Sequence, residues 1–281
     1  MNMMDFDNDE DVVYTRYLYN KNEARQNLFI SLLESNMEHA LFWMFELYYS
    51  GFEEETLDYL IEIYHLVYKK LHPKLEKYIE SMNNKWRIDT DICAYGNIVA
   101  TLSTRNYDLQ DFCKIYLHIQ GKQQESSKPR FIVSLKDTDI EKYKTDIITE
   151  HKYRILQKQC AYQTRNEFNR LFNILLPCHN DLYQIYRYHW LYYAYRSPVW
   201  KKRIDEYNGT PQLNSCKIIF ENDDDLEQLC EQWGYDPDEQ SIETQYSCIG
   251  IPNIKQVNIK YFCSMFNFKI KTIKKSEYSS G

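Results

Sequence analysis

Residues 36–55, NMEHALFWMFELYYSGFEEE, constrain the fold more than any other stretch. At helical spacing, Met37, Ala40, Leu41, Met44 and Tyr48 form one apolar stripe, and Phe42, Phe45 and Tyr49 form a second. A helix that is apolar on both sides is normally sandwiched between neighbours. Asn36 is a natural N-cap, and Ser50-Gly51 supplies the stop, because glycine readily adopts the left-handed backbone that closes a helix. A chain built round this segment is expected to be a helical stack.

The flanking sequence supplies the neighbours. Ala24, Leu28, Leu32 and Leu33 keep helical spacing over roughly 23–35. Glu53, Glu54 and Glu55 favour a helix start, where acidic charge complements the macrodipole. Beyond them Leu57, Leu60, Ile61, Tyr64, Tyr68 and Leu71 run down one face, with Asp58, Glu62, His65 and Lys69 on the other. Pro73 sits at a first helical position, followed by Leu75, Tyr78, Ile79 and Met82. A third pair spans 91–102 and 108–117. Helix pairs at intervals of roughly thirty residues predict stacked hairpins. No repeating consensus accompanies that period, so an irregular helical bundle is favoured at least as much as a repeat stack.

QGKQQESSKPR, residues 120–130, is polar and without periodicity and reads as a linker. FIVSL, 131–135, reads as a short strand. Helices resume from about Tyr153 through Phe168, Leu171, Phe172, Leu175 and Leu176. NDLYQIYRYHWLYYAYRS, 180–197, reads as one long aromatic helix. SPVWKKRIDEYNG follows as another, with Ser197 as N-cap, Pro198 at the first position and Gly209 past the end. CKIIF, 216–220, reads as a strand, and NDDDLEQLCEQWGY as a capped helix closed by Gly234. The alternating stretch from Gln256 to Lys275 predicts one or two terminal strands. The expected fold is therefore mainly α, an irregular helical bundle or stacked helical hairpins, with a minor β component toward the C-terminus. The expected organisation is a helical-hairpin domain at 1–119, a linker with a short strand at 120–136, and a helical domain at 137–281 carrying terminal strands and a lysine-rich tail.

Chemistry is constrained mainly by what the 281 residues leave out. There is no G-x-x-x-x-G-K-[ST], G-x-G-x-x-G, G-x-S-x-G or H-E-x-x-H, and seven glycines leave little material for phosphate-cradling loops. The eight cysteines are scattered without a C-x-x-C pair, so no zinc site is expected and the thiols read as reduced and mostly buried. NDDDLE and YDPDEQ lack the regular spacing of a calcium loop and read as a helix cap and an acidic turn. Cys178-His179 reads as a buried structural cysteine beside a surface histidine, since adjacent side chains point apart. His39, Trp43 and Glu46 read as a partly exposed helix edge with one paired carboxylate. No catalytic residue, cofactor or metal is assigned. The expectation is a non-enzymatic protein.

A net charge of −7 argues against a generic nucleic-acid coat, which needs a basic footprint. Asp5, Asp7, Asp9, Glu10 and Asp11 make an acidic head, the reverse of a signal peptide's start, and Lys255, Lys260, Lys269, Lys271, Lys274 and Lys275 a basic tail. No apolar run approaches the roughly 18 residues of a membrane span. A cytosolic or virion-interior setting is expected.

The strongest candidate for function is YRYHWLYYAYRSPVWKKRIDEY, residues 186–207. There Arg187, Arg196, Lys201, Lys202 and Arg203 interleave with Tyr188, Trp190, Tyr192, Tyr195 and Trp200. Tyr, Trp and Arg are the residues enriched at protein hot spots. Basic charge beside rings also suits single-stranded nucleic acid, through phosphate attraction and base stacking. The third reading is a core of aromatics whose basic groups reach out to water.

The same region carries a resemblance. YHWLYYAYRSPVWKKRIDEYNG, followed by KIIFENDDDLEQLCEQWGYDPDEQS, resembles a segment of a helical protein family of nucleocytoplasmic large DNA viruses, the giant viruses; ALFWMFELYYSGFEEE is similar to its N-terminal helix. Tyr, Ile, Asn, Lys and Phe, all with A- and T-rich codons, are heavily used here, in keeping with such a genome. From the interface-like composition the expectation is a protein-interaction or structural protein with a viral protein partner, in the host cytoplasm at the viral factory or inside the virion; the resemblance itself implies a protein of a large DNA virus. It brings no catalytic residue with it. A nucleic-acid-binding factor for viral transcription, replication or translation is the alternative.

Overall fold

The computed structural model describes residues 12–124, 131–144, 160–233 and 240–271, together with Pro237. Tyr153, Gly234, Lys274 and Lys275, and the acidic head at 5–11, lie outside them. The fold is mainly α with a minor β component.

Six helices make the N-terminal bundle: α1 (Lys21–Leu33), α2 (Met37–Tyr49), α3 (Glu53–Ile63), α4 (Leu75–Asp89), α5 (Cys93–Ser103) and α6 (Gln110–Ile115). The double-striped helix is α2, and it packs against α1, α3 and α5. Its N-cap is Asn36, whose side chain accepts from the His39 amide at 3.1 Å. In stacked hairpins each pair touches only its neighbours. Here α5 reaches α1, α2, α3 and α4, so the bundle takes the irregular form. The face expected to continue from α3 to Leu71 passes through a π-helical turn, Tyr64–Tyr68, which rotates it and leaves Leu71 exposed.

Gly51 closes α2 for two reasons. Its φ of +91° disfavours a side chain, and a Cβ there would sit 2.5 Å from the Cβ of Pro198. The C-terminal half of the chain is thus seated on the end of α2, where the Val199 amide also donates to the Ser50 carbonyl at 3.2 Å.

Residues 14–20 form a loop that runs through the interior, bridged between Tyr14 and Asn20. A buried loop must find partners for its backbone, and this one does. The Thr15 amide donates to the Tyr19 carbonyl (2.8 Å), Arg16 to Ser50 Oγ (2.8 Å), Tyr17 to Glu46 Oε1 (2.9 Å), Leu18 to the Thr15 carbonyl (3.0 Å) and Tyr19 to Thr15 Oγ1 (3.1 Å). The Thr15 carbonyl accepts from the Trp200 indole at 3.0 Å. Arg16, 2% exposed, pairs through Nε with Glu46 Oε2 at 2.9 Å, donates to the Tyr143 carbonyl at 2.8 Å, and lies over the Tyr17 and Tyr49 rings.

The second half holds α7 (Asp137–Ile140), a 3-10 helix (Asn166–Phe172), α8 (His179–Tyr188), α9 (Trp190–Ala194), α10 (Pro198–Asp205), α11 (Asp223–Trp233), α12 (Ile242–Ile249) and α13 (Ile259–Met265). Two antiparallel ribbons complete it: β1 (Gly121–Gln123) with β4 (Phe268–Ile270), and β2 (Thr210–Gln212) with β3 (Lys217–Ile219). One connected buried core runs from Val12 to Phe268 and crosses the division expected at 120–136.

Three expected elements are corrected. Residues 131–135 form no ladder; their backbone lies along α5 instead. Asn97 Oδ1 takes the Leu135 amide at 2.6 Å, Thr101 Oγ1 takes the Val133 amide at 3.1 Å, and Arg105 donates to the Phe131 carbonyl at 2.7 Å. Asn97 and Thr101 stand at i and i+4 on α5 and Arg105 follows just past its end, so a polar helix face and its C-terminal turn do the work of a neighbouring strand. The stretch from Gln256 holds one of its expected strands, β4, but α13 takes its first part, because Ile259, Phe262, Cys263 and Phe266 also keep helical spacing and Asn258 caps the Tyr261 amide at 2.9 Å. The long aromatic helix breaks at His189 (φ −132°, ψ 10°) into α8 and α9.

Candidate interaction surface

The ten candidate residues separate by burial. Trp190, Tyr192, Trp200 and Arg203 are interior. Trp190 meets Trp200 edge-on at 5.2 Å, and the indole of Trp200 holds the buried loop. Arg203 lies between the rings of Trp200 (4.7 Å) and Trp233 (3.9 Å). These four are engaged in the core and are not open to a docking partner in this structure.

The other six reach the surface to different degrees. Arg187 donates to the Tyr183 hydroxyl at 2.6 Å and lies 5.7 Å from the Tyr188 ring. Arg196 spans the rings of Tyr192 and Tyr193, both at 5.3 Å. Lys201 is exposed, its amine 5.9 Å from the half-buried ring of Tyr195, and Lys202 is exposed as well. Burial, and then the neighbouring Asp205, raise the Tyr195 hydroxyl above the ordinary tyrosine range. Tyr188 stands 57% exposed at the end of α8.

What the sequence did not indicate is the hairpin beside them. The break at His189 places its Nδ1 3.0 Å from the Cys216 carbonyl, which fixes the β2–β3 ribbon against α9. The tip of that ribbon exposes Leu213 (78%) and its return strand exposes Ile219 (49%). Ile218 and Phe220 close on Ile204 of α10 around Gly209, where any Cβ would collide. Tyr188, Leu213 and Ile219 are therefore carried by one locally braced unit, with Lys201, Lys202 and Lys217 exposed on the same elements. Acidic groups share it: Asp205 and Glu206 follow the lysines, and Glu221 follows β3.

Other constellations are structural or mixed. Glu46 and Trp43 are fully buried, while His39 stays half-exposed with its ring 4.0 Å from that of Tyr162. The expected edge is thus an interior site, and the paired carboxylate is Glu46 with Arg16. Cys178 is exposed rather than buried; its thiol faces Asp181 Oδ2 at 2.9 Å, while His179 Nε2 lies 3.3 Å from the Gly250 carbonyl. The two form no nucleophile–base pair. An open groove of about 1100 Å³ lies between the end of α1, residues 70–72, residues 106–110, β1 and the end of α13. In it Lys70 pairs with Asp108 at 2.7 Å and His72 Nε2 lies 2.9 Å from the Asn106 carbonyl. Burial pushes the Tyr107 hydroxyl there up to about 12. Among the described residues no three His, Cys, Asp or Glu side chains converge as a metal site, and no helix is long and apolar enough to cross a membrane.

Comparison with protein-family models, with curated proteins and with solved structures gives no match.

Proposed function

We propose that this chain is a non-enzymatic protein-interaction or structural protein of a large DNA virus, acting in the viral factory of the host cytoplasm or inside the virion. The surface carried by α8, α10 and the β2–β3 hairpin docks a viral protein partner. The observation that carries this reading is the exposure of Tyr188, Leu213 and Ile219 on one braced unit, edged by Lys201, Lys202 and Lys217. Exposed aromatic and aliphatic groups accompanied by mixed charge match the composition of a protein interface. The complementary partner presents an apolar segment flanked by carboxylates.

The nucleic-acid alternative finds less support. Arg203 is enclosed between two indoles, Arg196 is held over two tyrosine rings, and Asp205 and Glu206 interrupt the basic run. Phosphate tracking needs a continuous cationic groove.

Affinity capture of the tagged protein from producing cells, with and without nuclease, tests the reading. The expected result is a partner that survives nuclease, cross-links to Lys201, Lys202 or Lys217, and is lost from a Tyr188→Ala/Leu213→Asp variant that keeps its fold. Retention of the partner by that variant refutes the proposed surface. Loss of the partner with nuclease moves the function to nucleic acid.

A further inference from the structure

Outside the proposed surface, two cysteines meet in the interior. Cys160 and Cys248 are both buried, and their sulfur atoms stand 3.5 Å apart. Both thiols also face one acceptor, the Tyr17 carbonyl of the buried loop, at 3.7 Å and 3.5 Å. The segment entered at Cys160 is held from three sides. The Tyr19 hydroxyl donates to the Tyr162 carbonyl at 2.6 Å, the Thr164 amide to the Ser247 carbonyl at 3.0 Å, and the Arg165 amide to Asn27 Oδ1 at 3.2 Å. Its register against α12 is therefore fixed, and the two cysteines cannot drift apart without breaking these bonds.

We infer that Cys160 and Cys248 are a covalent modification site, a dithiol that closes to an intramolecular disulfide and fastens the residue-160 segment and α12 together beneath the buried loop. Bonding requires the sulfurs to approach from 3.5 Å to about 2.05 Å, a movement that small side-chain rotations supply. The oxidant is a low-molecular-weight disulfide such as oxidised glutathione. One cysteine thiolate attacks a glutathione sulfur and expels the first glutathione thiolate. The second cysteine attacks the protein sulfur of the mixed disulfide and expels the second. Two protein thiols and one glutathione disulfide give one protein disulfide and two glutathione thiols, so the protein loses two hydrogens. Burial raises the Cys160 thiol well above its ordinary range, so exchange waits on local opening and is slow in the closed fold.

The test uses the full chain in a Cys178→Ser/Cys216→Ser background, which removes an exposed and a half-exposed thiol that could scramble. The protein is brought to equilibrium in glutathione buffers from reducing to oxidising, in urea too dilute to unfold it. It is then alkylated under denaturing conditions and mapped by mass spectrometry. The expected result is a Cys160–Cys248 linked peptide at the oxidising end, lost on return to reducing buffer, with Tm raised by about 5–10 °C, as closure of an 88-residue separation implies. Full alkylation of both cysteines in every buffer, or linkage of either to another cysteine, overturns the proposal. Cys160 and Cys248 stay unchanged, and a urea midpoint of the background protein equal to the wild type's shows that its fold is kept.

Discussion

Glu23 offers the most discriminating test of the interior. It lies in the first turn of α1, 1% exposed, with Oε1 accepting from Asn169 Nδ2 at 2.6 Å and Oε2 without a hydrogen-bond partner among the described residues. Burial raises its carboxyl to about 7; the Asn169 bond opposes this, and Glu167 adds to it. The sign follows directly. Below the unfolded value near 4.5 both states hold the proton, and the stability linked to this group is fully present. As pH rises the unfolded chain releases its proton first, so that stability is lost progressively until the pH passes 7. A rise from 4.5 to about 7, at about 1.4 kcal/mol per pH unit, corresponds to a loss of roughly 3 kcal/mol. Glu23→Gln keeps the acceptor for Asn169 but never ionises. Its amide adds an offset that does not vary with pH. Urea unfolding of both proteins at pH 5, 6, 7 and 8 and constant ionic strength should show the variant gaining on the wild type by roughly 2.5 kcal/mol across the series, since part of the loss is already present at pH 5. A difference that stays constant with pH refutes the buried, raised carboxyl.

Other perturbations separate core from surface. Glu46→Gln leaves the Arg16 guanidinium charged in the interior and should cost about 3–5 kcal/mol, read as a fall in the urea midpoint. Gly51→Ala places a side chain at φ +91° and against Pro198, and should cost about 1–3 kcal/mol by the same measurement. Tyr188→Ala/Leu213→Asp should change stability by less than about 0.5 kcal/mol per site while abolishing partner capture. Trp200→Ala, which empties a core site and strands the Thr15 carbonyl, should cost about 3–5 kcal/mol whatever it does to binding.

Helices whose signals are local were legible in the sequence. Asn36, Ser50-Gly51 and Ser197-Pro198 mark ends that caps and backbone conformation determine, and the structure places ends there. What failed to show was anything set by distant partners. Residues 131–135 have strand composition, but whether they find a strand or a helix face depends on Asn97, Thr101 and Arg105, more than twenty residues away. The alternation after Gln256 satisfied both a period of two and a helical period, and packing of Phe262 and Cys263 into the core decided for the helix. The buried loop was invisible because Arg16 alone reads as a surface residue; its partner Glu46 lies thirty residues on. A polar residue inside the aromatic run YTRYLYN is the only local hint.

The same distance effect governs the candidate site. In sequence, Trp200 and Tyr188 are equivalent members of a basic-aromatic run; in the fold one holds the buried loop and the other faces solvent. Composition cannot separate them, since both are large rings beside cations. The difference comes from His189, where one broken turn redirects the chain, and from the Cys216 carbonyl that meets its ring from across the hairpin. That contact seats the hairpin carrying Leu213 and Ile219 against α9, the helix that follows Tyr188, so the proposed surface draws on three separate segments. A peptide covering 186–207 alone should therefore fail to reproduce any docking by the full chain, because it lacks the hairpin and would expose the indoles that the fold keeps inside. If such a peptide competed for the captured partner as well as the full chain does, the recognition element would be the linear aromatic run, and the assembled surface argued above would be wrong.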